Sequence, residues 1–390
     1  MAWRLIACRP NGDGSEDLIT TDIPISAGNS VTLSLSAPTA MTVSLPIYFS
    51  AMKAGDGNPV IIPWGTTIYA ERNGVIMGGG IVDEMSEEAG KLEISVIGFV
   101  GYLNDMPYTE EYTGYKVDPL DLARLIWTHV QKKPGGNLGL VVSGLRTNRR
   151  IGVKGVAAFR GRPAIYDDKN NLVTPAIPAN PEIKDEPYIL AWHQTSNLLE
   201  EFNNLSKITP FDYAERHGWV NNKIGHYLDF AHPMMGRRKP NLRFVPGENI
   251  IDAPKVYHQG DLYASEILVL GAGEGKTKIH AFANQSTRGR LRRVAILNQP
   301  SVGREPTARA LAQNEIKYRT GLPNVSDFTM IDHPNAPIGS FGVGDTIFVQ
   351  SGSDWYDGAD TWVRIASITY TMGEDEKISI VAVKEDDDDE

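Results

Sequence analysis

The chain has 390 residues, enough for two to four domains with cores of their own. Its single cysteine, Cys8, excludes an intramolecular disulfide framework and fits folding in a reducing cytoplasm. A formal charge of −10 disfavours general affinity for nucleic-acid phosphates, and no apolar run reaches the ~20 residues that span a bilayer.

Residues 2–8 read as a first strand, because their apolar stretch is too short for a signal peptide. Residues 31–35 and 41–46 alternate apolar and polar side chains, separated by Ala37-Pro38-Thr39. Residues 67–72 alternate too, and Asn73-Gly74 follows, a strong hairpin signal. The pattern resumes at 75–77 and, beyond Gly78-Gly79-Gly80, at 81–85; residues 91–98 continue it. Residues 1–104 thus read as β throughout: a meander with one buried face, one exposed face and no reactive side chain at its turns.

The period changes near Tyr115. Asp118 as N-cap and Pro119 at the first helical position open a helix, with Leu120, Ala123, Leu125, Ile126, Trp127 and Val130 as its apolar stripe. Residues 146–162 are basic and irregular, and 163–187 are rich in proline. A second helix is expected over 195–206, capped by Thr195-Ser196, with Leu198, Leu199, Phe202 and Leu205 on one face. Strands at 212–216 and 227–230 pair around 218–225. Further strands are expected at 242–245, within 256–270 and at 294–297. A third helix spans 306–318, buried through Ala308, Leu311, Ala312 and Ile316. Strands at 344–349, 362–370 and 377–383 end the pattern, before an acidic, solvated tail at 385–390.

Reactive constellations are scarce. Gly273-Glu274-Gly275-Lys276-Thr277 is not a P-loop, since Leu270 stands where the first glycine is needed and the following residues alternate; a hairpin turn fits better. His217, His226 and His232 have no zinc-ligand spacing and read as surface or packed residues. Cys8 reads as a buried small hydrophobe, and Glu200-Glu201 as solvated. Asp354, Asp357 and Asp360 lie in a loop beside Trp355, Tyr356 and Trp362, without the ligand series of a calcium hand. Two activities could be built from these residues. One is a cell-wall hydrolase using Asp354, Asp357 or Glu200 as acid and base. The other is a carbohydrate-binding module stacking sugars on Trp355, Tyr356 and Trp362. The basic residues Arg146–162 and Arg288, Arg290, Arg292 and Arg293 read as surfaces for an acidic protein partner or as flexible loops.

Three segments together carry a resemblance. The first is Tyr69-Ala70-Glu71-Arg72-Asn73-Gly74, then Gly78-Gly79-Gly80-Ile81-Val82, then Leu92-Glu93-Ile94-Ser95-Val96-Ile97-Gly98-Phe99-Val100-Gly101-Tyr102-Leu103. The second is Val117-Asp118-Pro119-Leu120-Asp121-Leu122-Ala123-Arg124. The third is Gly342-Val343-Gly344-Asp345-Thr346-Ile347, followed by Trp362-Val363-Arg364-Ile365. In this order the chain resembles the baseplate hub at the tail tip of long-tailed bacteriophages, especially minor tail proteins of phages of actinobacteria.

The resemblance implies a β-rich α+β fold with two split β-barrel-like domains, each carrying an inserted helix-containing domain. The first barrel is 1–104 with 219–250, interrupted by 105–218. The second is 251–305 with 336–384, interrupted by a helical insert at 306–335. The proline-rich segment 163–187 departs from the family pattern. The resemblance also implies a virion protein at the tail tip, made in the host cytoplasm and assembled as a homotrimeric ring that continues the tail tube. Expected partners are the distal tail protein, the tape-measure protein and receptor-binding proteins, with genomic DNA passing the lumen unbound. No catalytic residue, cofactor, metal or membrane insertion is implied, and any lytic or fibre domain is expected on another chain.

Overall fold

The computed structural model describes residues 3–166, 168, 172–175, 183–252, 256–257, 263–285, 289–299, 302–320, 324–325, 327–350, 361–373 and 376–384. The fold is β-rich α+β. Its first part forms β1 (Trp3–Pro10), β2 (Glu16–Ile23), β3 (Ser30–Ser34), β4 (Ala40–Pro46), β5 (Thr67–Arg72), β6 (Val75–Glu88) and β7 (Lys91–Ile97). There follow β8 (Glu111–Gly114), α1 (Pro119–Gln131), β9 (Leu140–Val142), β10 (Ile165–Tyr166), β11 (Leu172–Thr174), β12 (Tyr188–Ala191), α2 (Leu198–Ile208), β13 (Asp212–Val220) and β14 (Lys223–Ala231). The last part holds β15 (Ile250–Asp252), β16 (Val256–Tyr257), β17 (Glu266–Leu270), β18 (His280–Asn284), β19 (Val294–Asn298), α3 (Glu305–Thr320), β20 (Asn324–Val325), β21 (Asp327–Met330), β22 (Thr346–Val349), β23 (Thr361–Thr371) and β24 (Lys377–Lys384).

The two β regions share one 12-stranded sheet, in the order β15-β21-β24-β23-β3-β4-β7-β6-β5-β1-β2, with β22 also on β23. β23 is long enough to pair β22 with its first half and β3 with its second. The sheet therefore runs on from the C-terminal strands into the N-terminal ones. Among the described residues it does not close, so the two split barrels expected from the resemblance are not seen as closed units. One apolar core serves both ends: Leu5, Val43 and Ile68 belong to the same cluster as Ile347, Ile365 and Ile380.

A second core joins α1 and α2 to the β13–β14 hairpin through Trp127, Phe202, Tyr213 and Leu228. A third packs α3 onto the small sheet β18-β17-β19 through Ala308, Ala312, Ile267 and Val269.

Local chemistry explains where the expected elements hold and where they shift. Asn73 and Gly74 both have positive φ, as a two-residue hairpin turn requires. Gly78–80 do not interrupt the meander: β6 runs through them as one 14-residue strand. The glycines are needed because neighbours come close. A Cβ on Gly79 would lie 2.5 Å from the Ile68 carbonyl oxygen, and one on Gly80 only 2.1 Å from that of Ile97. Residues 99–103 are a 3-10 turn rather than strand, because the Glu215 carboxylate accepts from Phe99 N and Val100 N at 3.0 and 2.8 Å. Residues 47–51 form another such turn.

α2 starts later than expected, with Asn197 as its cap, accepting from Leu199 N and Glu200 N. Residues 242–245 form no strand beyond a bridge from Phe244 to Val349, since the Asn249 side chain binds Val245 N and the Arg243 carbonyl in place of a neighbouring strand. The β13–β14 strands run past Gly218 and Gly225 to a turn at Asn221-Asn222, both with positive φ.

α1 begins as expected. Asp118 accepts from Leu120 N at 3.0 Å and from Thr147 N at 2.7 Å, so one carboxylate caps the helix and pins the next loop. Asp118→Ala is expected to lower stability by about 2 kcal/mol, read as a lower denaturant midpoint at unchanged slope.

Candidate functional site

The β13–β14 hairpin lies across the main sheet over β1, β5 and β6. The meander thus differs from the exposed surface expected: all six residues of β5 are buried. Ile68 and Ala70 face the main core, whereas Tyr69 packs with Ile6 and Cys8 under the hairpin.

The seam between hairpin and sheet is polar. Alternation along β13 sends Tyr213, Glu215, His217 and Trp219 to one face. Tyr213 Oη donates to Asn203 Oδ1 at 2.9 Å. The half-buried Glu215 binds the 3-10 turn, and burial pushes its carboxyl up to about 7 despite those hydrogen bonds. His217 Nδ1 meets His226 Nδ1 at 2.9 Å. Trp219 Nε1 donates to Glu71 Oε2 at 2.7 Å, and Arg4 holds the same carboxylate with two hydrogen bonds. Burial pushes the Glu71 carboxyl up, but Arg4 and Trp219 outweigh it and hold it below its ordinary value.

Below the histidines, Glu16 accepts from Tyr69 Oη at 2.8 Å and Thr67 Oγ1 at 2.9 Å, and lies 3.5 Å from His226 Nε2. Burial raises the Tyr69 phenol well above its usual range.

A charged lock closes one end of the seam. Arg364 binds Asp212, the Met235 carbonyl at 2.9 Å and the Gly344 carbonyl at 3.2 Å. Asp345 accepts from Arg237 N and Gly342 N and pairs with Lys239. The Gly344-Asp345 and Arg364-Ile365 segments thus meet at one junction between hairpin and C-terminal strands.

The small sheet offers a different surface. α3 covers its inner face. On the outer face Leu268 sits between Phe282 and Ile296 in register, and the latter two are 54% and 58% exposed. Leu291, ahead of β19 in the chain, is 89% exposed among Arg290, Arg292 and Arg293. Arg292 pairs with Glu266, and Arg290 lies over the Tyr263 ring. These are contacts of a surface, not of a cleft.

Other residues singled out from the sequence lie apart. Gly275–Thr277 is a turn in the connection between antiparallel β17 and β18, as expected. Cys8 is buried, and burial pushes its thiol up to about 12. Glu200 is exposed, whereas Glu201 accepts from the Tyr188 hydroxyl. Trp362 packs against Phe348 and under Arg238. Asp354, Trp355, Tyr356, Asp357, Asp360, Arg288 and the tail 385–390 lie outside the described residues, as does part of 163–187. Among the described residues no group of three or more His, Cys, Asp or Glu could hold a metal ion, and no helix is long and apolar enough to cross a membrane.

The histidine contact is what the sequence reading missed. Placing the turn at 218–225 hid it. Counting outward from Asn221-Asn222 puts residue 217 opposite residue 226, the register observed.

No protein-family model and no curated protein matches the chain. Among solved structures it is similar to the 43 kDa tail protein of prophage MuSo2 from Shewanella oneidensis, with 14% identity, 98% of each chain covered and a TM-score of 0.54. It is similar to a tail protein from Neisseria meningitidis MC58 at 11% identity, over 99% of this chain and 97% of that one, with a TM-score of 0.53. A chain of the Francisella PdpA–VgrG complex matches at 7% identity and a TM-score of 0.51, over 98% of this chain and 58% of the other. At such identities the likeness is one of fold. As the resemblance implied, the chain has, over nearly its whole length, the fold of prophage tail proteins.

Proposed function

We infer that the chain is a structural, non-enzymatic component of a phage-type tail, acting as the hub at the tail tip. The observation that carries this reading is the fold shared end to end with a prophage tail protein, 98% of each chain. Three copies form a ring that continues the tail tube. Subunits meet through two kinds of surface. Among the described residues the main sheet ends at β15, whose Ile250 bridges to Pro246, and at β2, whose edge offers backbone to a neighbouring chain. The outward row Phe282, Leu268 and Ile296 offers apolar area, and apolar area at the centre of a contact drives association.

In this reading the distal tail, tape-measure and receptor-binding proteins stack on the two faces of the ring. The net charge of −10 keeps a DNA-conducting lumen from binding its cargo. The protein is made in the host cytoplasm and ends in the virion.

The test is the mass of the purified full chain by light scattering, with and without tail-tube protein. A trimer mass is expected. The pair Phe282→Ser and Ile296→Ser is expected to keep the melting temperature of the fold and to weaken association at least about tenfold. A chain that stays monomeric under all conditions and is absent from particles overturns the reading.

A further inference from the structure

The seam under the β13–β14 hairpin holds a group of titratable side chains that a scaffold does not need. His217 and His226 are register partners, 5% and 3% exposed, with Nδ1 atoms 2.9 Å apart. Two ring nitrogens approach this closely only with a hydrogen between them, one donating and one accepting. The contact therefore holds one proton. A first added proton can sit on a bare Nε2 and leave the contact intact; only when both Nδ1 atoms carry hydrogen does N–H face N–H, and then it must open.

The surroundings give the extra proton little help. Tyr69 stacks on His226 with ring centroids 5.6 Å apart, and Phe99 packs on both imidazoles at 4.7 and 5.2 Å. His217 Nε2 is buried without a hydrogen bond of ordinary geometry, and the Gly79 backbone, which favours a proton on the ring, is outweighed by burial and His226. From the main sheet the ionisable neighbours are Glu16, Tyr69 and Cys8, with Asp17 beyond; from the hairpin they are Glu215 and Arg216. Glu16 is the anion at hand, and it is already engaged by Tyr69 and Thr67. Burial, then the nearby His226, push the His217 imidazole down to about 3.

The hairpin is joined to the main sheet by side chains and by the second core rather than by a strand ladder. β13, β14 and β9 form a sheet of their own, with no ladder to the main sheet. The contacts across the seam are mostly side-chain ones: Glu215 to the 3-10 turn, Trp219 to Glu71, Arg364 to Asp212. The main sheet keeps a separate apolar core on its other face.

We propose that the His217–His226 pair is an acid-triggered latch: once both contact nitrogens carry hydrogen, the β13–β14 hairpin is released from β1, β5 and β6 while the main sheet stays folded. A histidine whose folded value is depressed adds stability above its ordinary value near 6.5, and that stability is lost as pH falls toward the folded value. Glu215 acts the other way: its folded value is raised, so what it adds is present in acid and lost as pH rises through about 7. Acid release thus belongs to His217. The latch is independent of whether the chain forms a ring.

Hydrogen–deuterium exchange on the full chain tests it, with rates corrected for the intrinsic effect of pH. Between about pH 7 and about pH 4, amides of 212–231 and 67–72 are expected to exchange at least about tenfold faster, while those of β23 and β24 stay protected. In the double variant His217→Gln and His226→Gln, two amides replace the contact with a hydrogen bond that cannot titrate, so the acid-specific rise should vanish. Glu215→Gln should keep it. If the double variant does not fold, the imidazole resonances of the unmodified protein decide: ring protonation of the pair must coincide with the rise at 212–231. A rise that is uniform over the main sheet, survives the double variant or precedes ring protonation overturns the latch.

Discussion

Gly80→Ala is expected to destabilise the protein by about 3 kcal/mol or more, at the upper end of overpacking effects. The added methyl would sit 2.1 Å from the Ile97 carbonyl oxygen and 2.6 Å from its carbon. Both atoms are backbone of β7, which is held between β6 and β4 by ladders on both sides, with Ile97 opposite Ile81 and Ala40. No side-chain rotation relieves the clash, so β6 or β7 must shift. A shift there moves Ile81, which packs in the second core, and Val82, which packs in the first. Gly55→Ala is the control, because nothing lies within 4 Å of its added methyl; it should stay within about 0.5 kcal/mol of the parent. Denaturant midpoints and soluble yields of the two variants check the contrast.

Arg72→Ala is expected to cost about 3–5 kcal/mol, as when one partner of a buried charge network is removed. Arg72 sits in β5, binds Glu376 through Nε at 2.7 Å and reaches Asp332 through Nη2 at 2.8 Å. Trp3 Nε1 donates to the same Glu376 at 2.8 Å. The alanine variant leaves two carboxylates facing each other in a half-buried site. Arg72→Lys should recover only part of the loss, since an ammonium cannot form the same fork to two acceptors. Equilibrium denaturation near neutral pH measures both.

Much of the fold was legible because its signals are short-range. Asn73-Gly74, Asp118-Pro119 and the helical stripe ending in Val130 each act within a few residues, and the structure follows them. What could not be read acts across the chain. Residues 99–103 turn because of Glu215, and 242–245 lose their ladder to Asn249. The triple glycine looked like a break because glycine is common in turns; it is a strand thinned to admit Tyr69 and the β7 backbone. β5 alternates like a half-exposed strand, yet both faces are covered, and its polar residues Thr67, Glu71 and Arg72 face partners rather than water. The seam was hidden for the same reason. Polar residues on an alternating strand suggest solvent, and only the register shows that His217 and His226 face each other.

The β3–β23 pairing has a further consequence, for how the molecule comes into being. Thr32 and Thr369 share a hydrogen bond across 337 residues of chain. During synthesis the N-terminal strands leave the ribosome long before their neighbours exist, so Thr32 on the edge of β3 must wait for a partner made 337 residues later. Contacts this distant fold slowly and leave strand edges open to wrong partners meanwhile. A truncation just short of β23 would remove more than a terminal segment. It would leave the N-terminal half with an open edge and half a core, a species that aggregates rather than a smaller working protein.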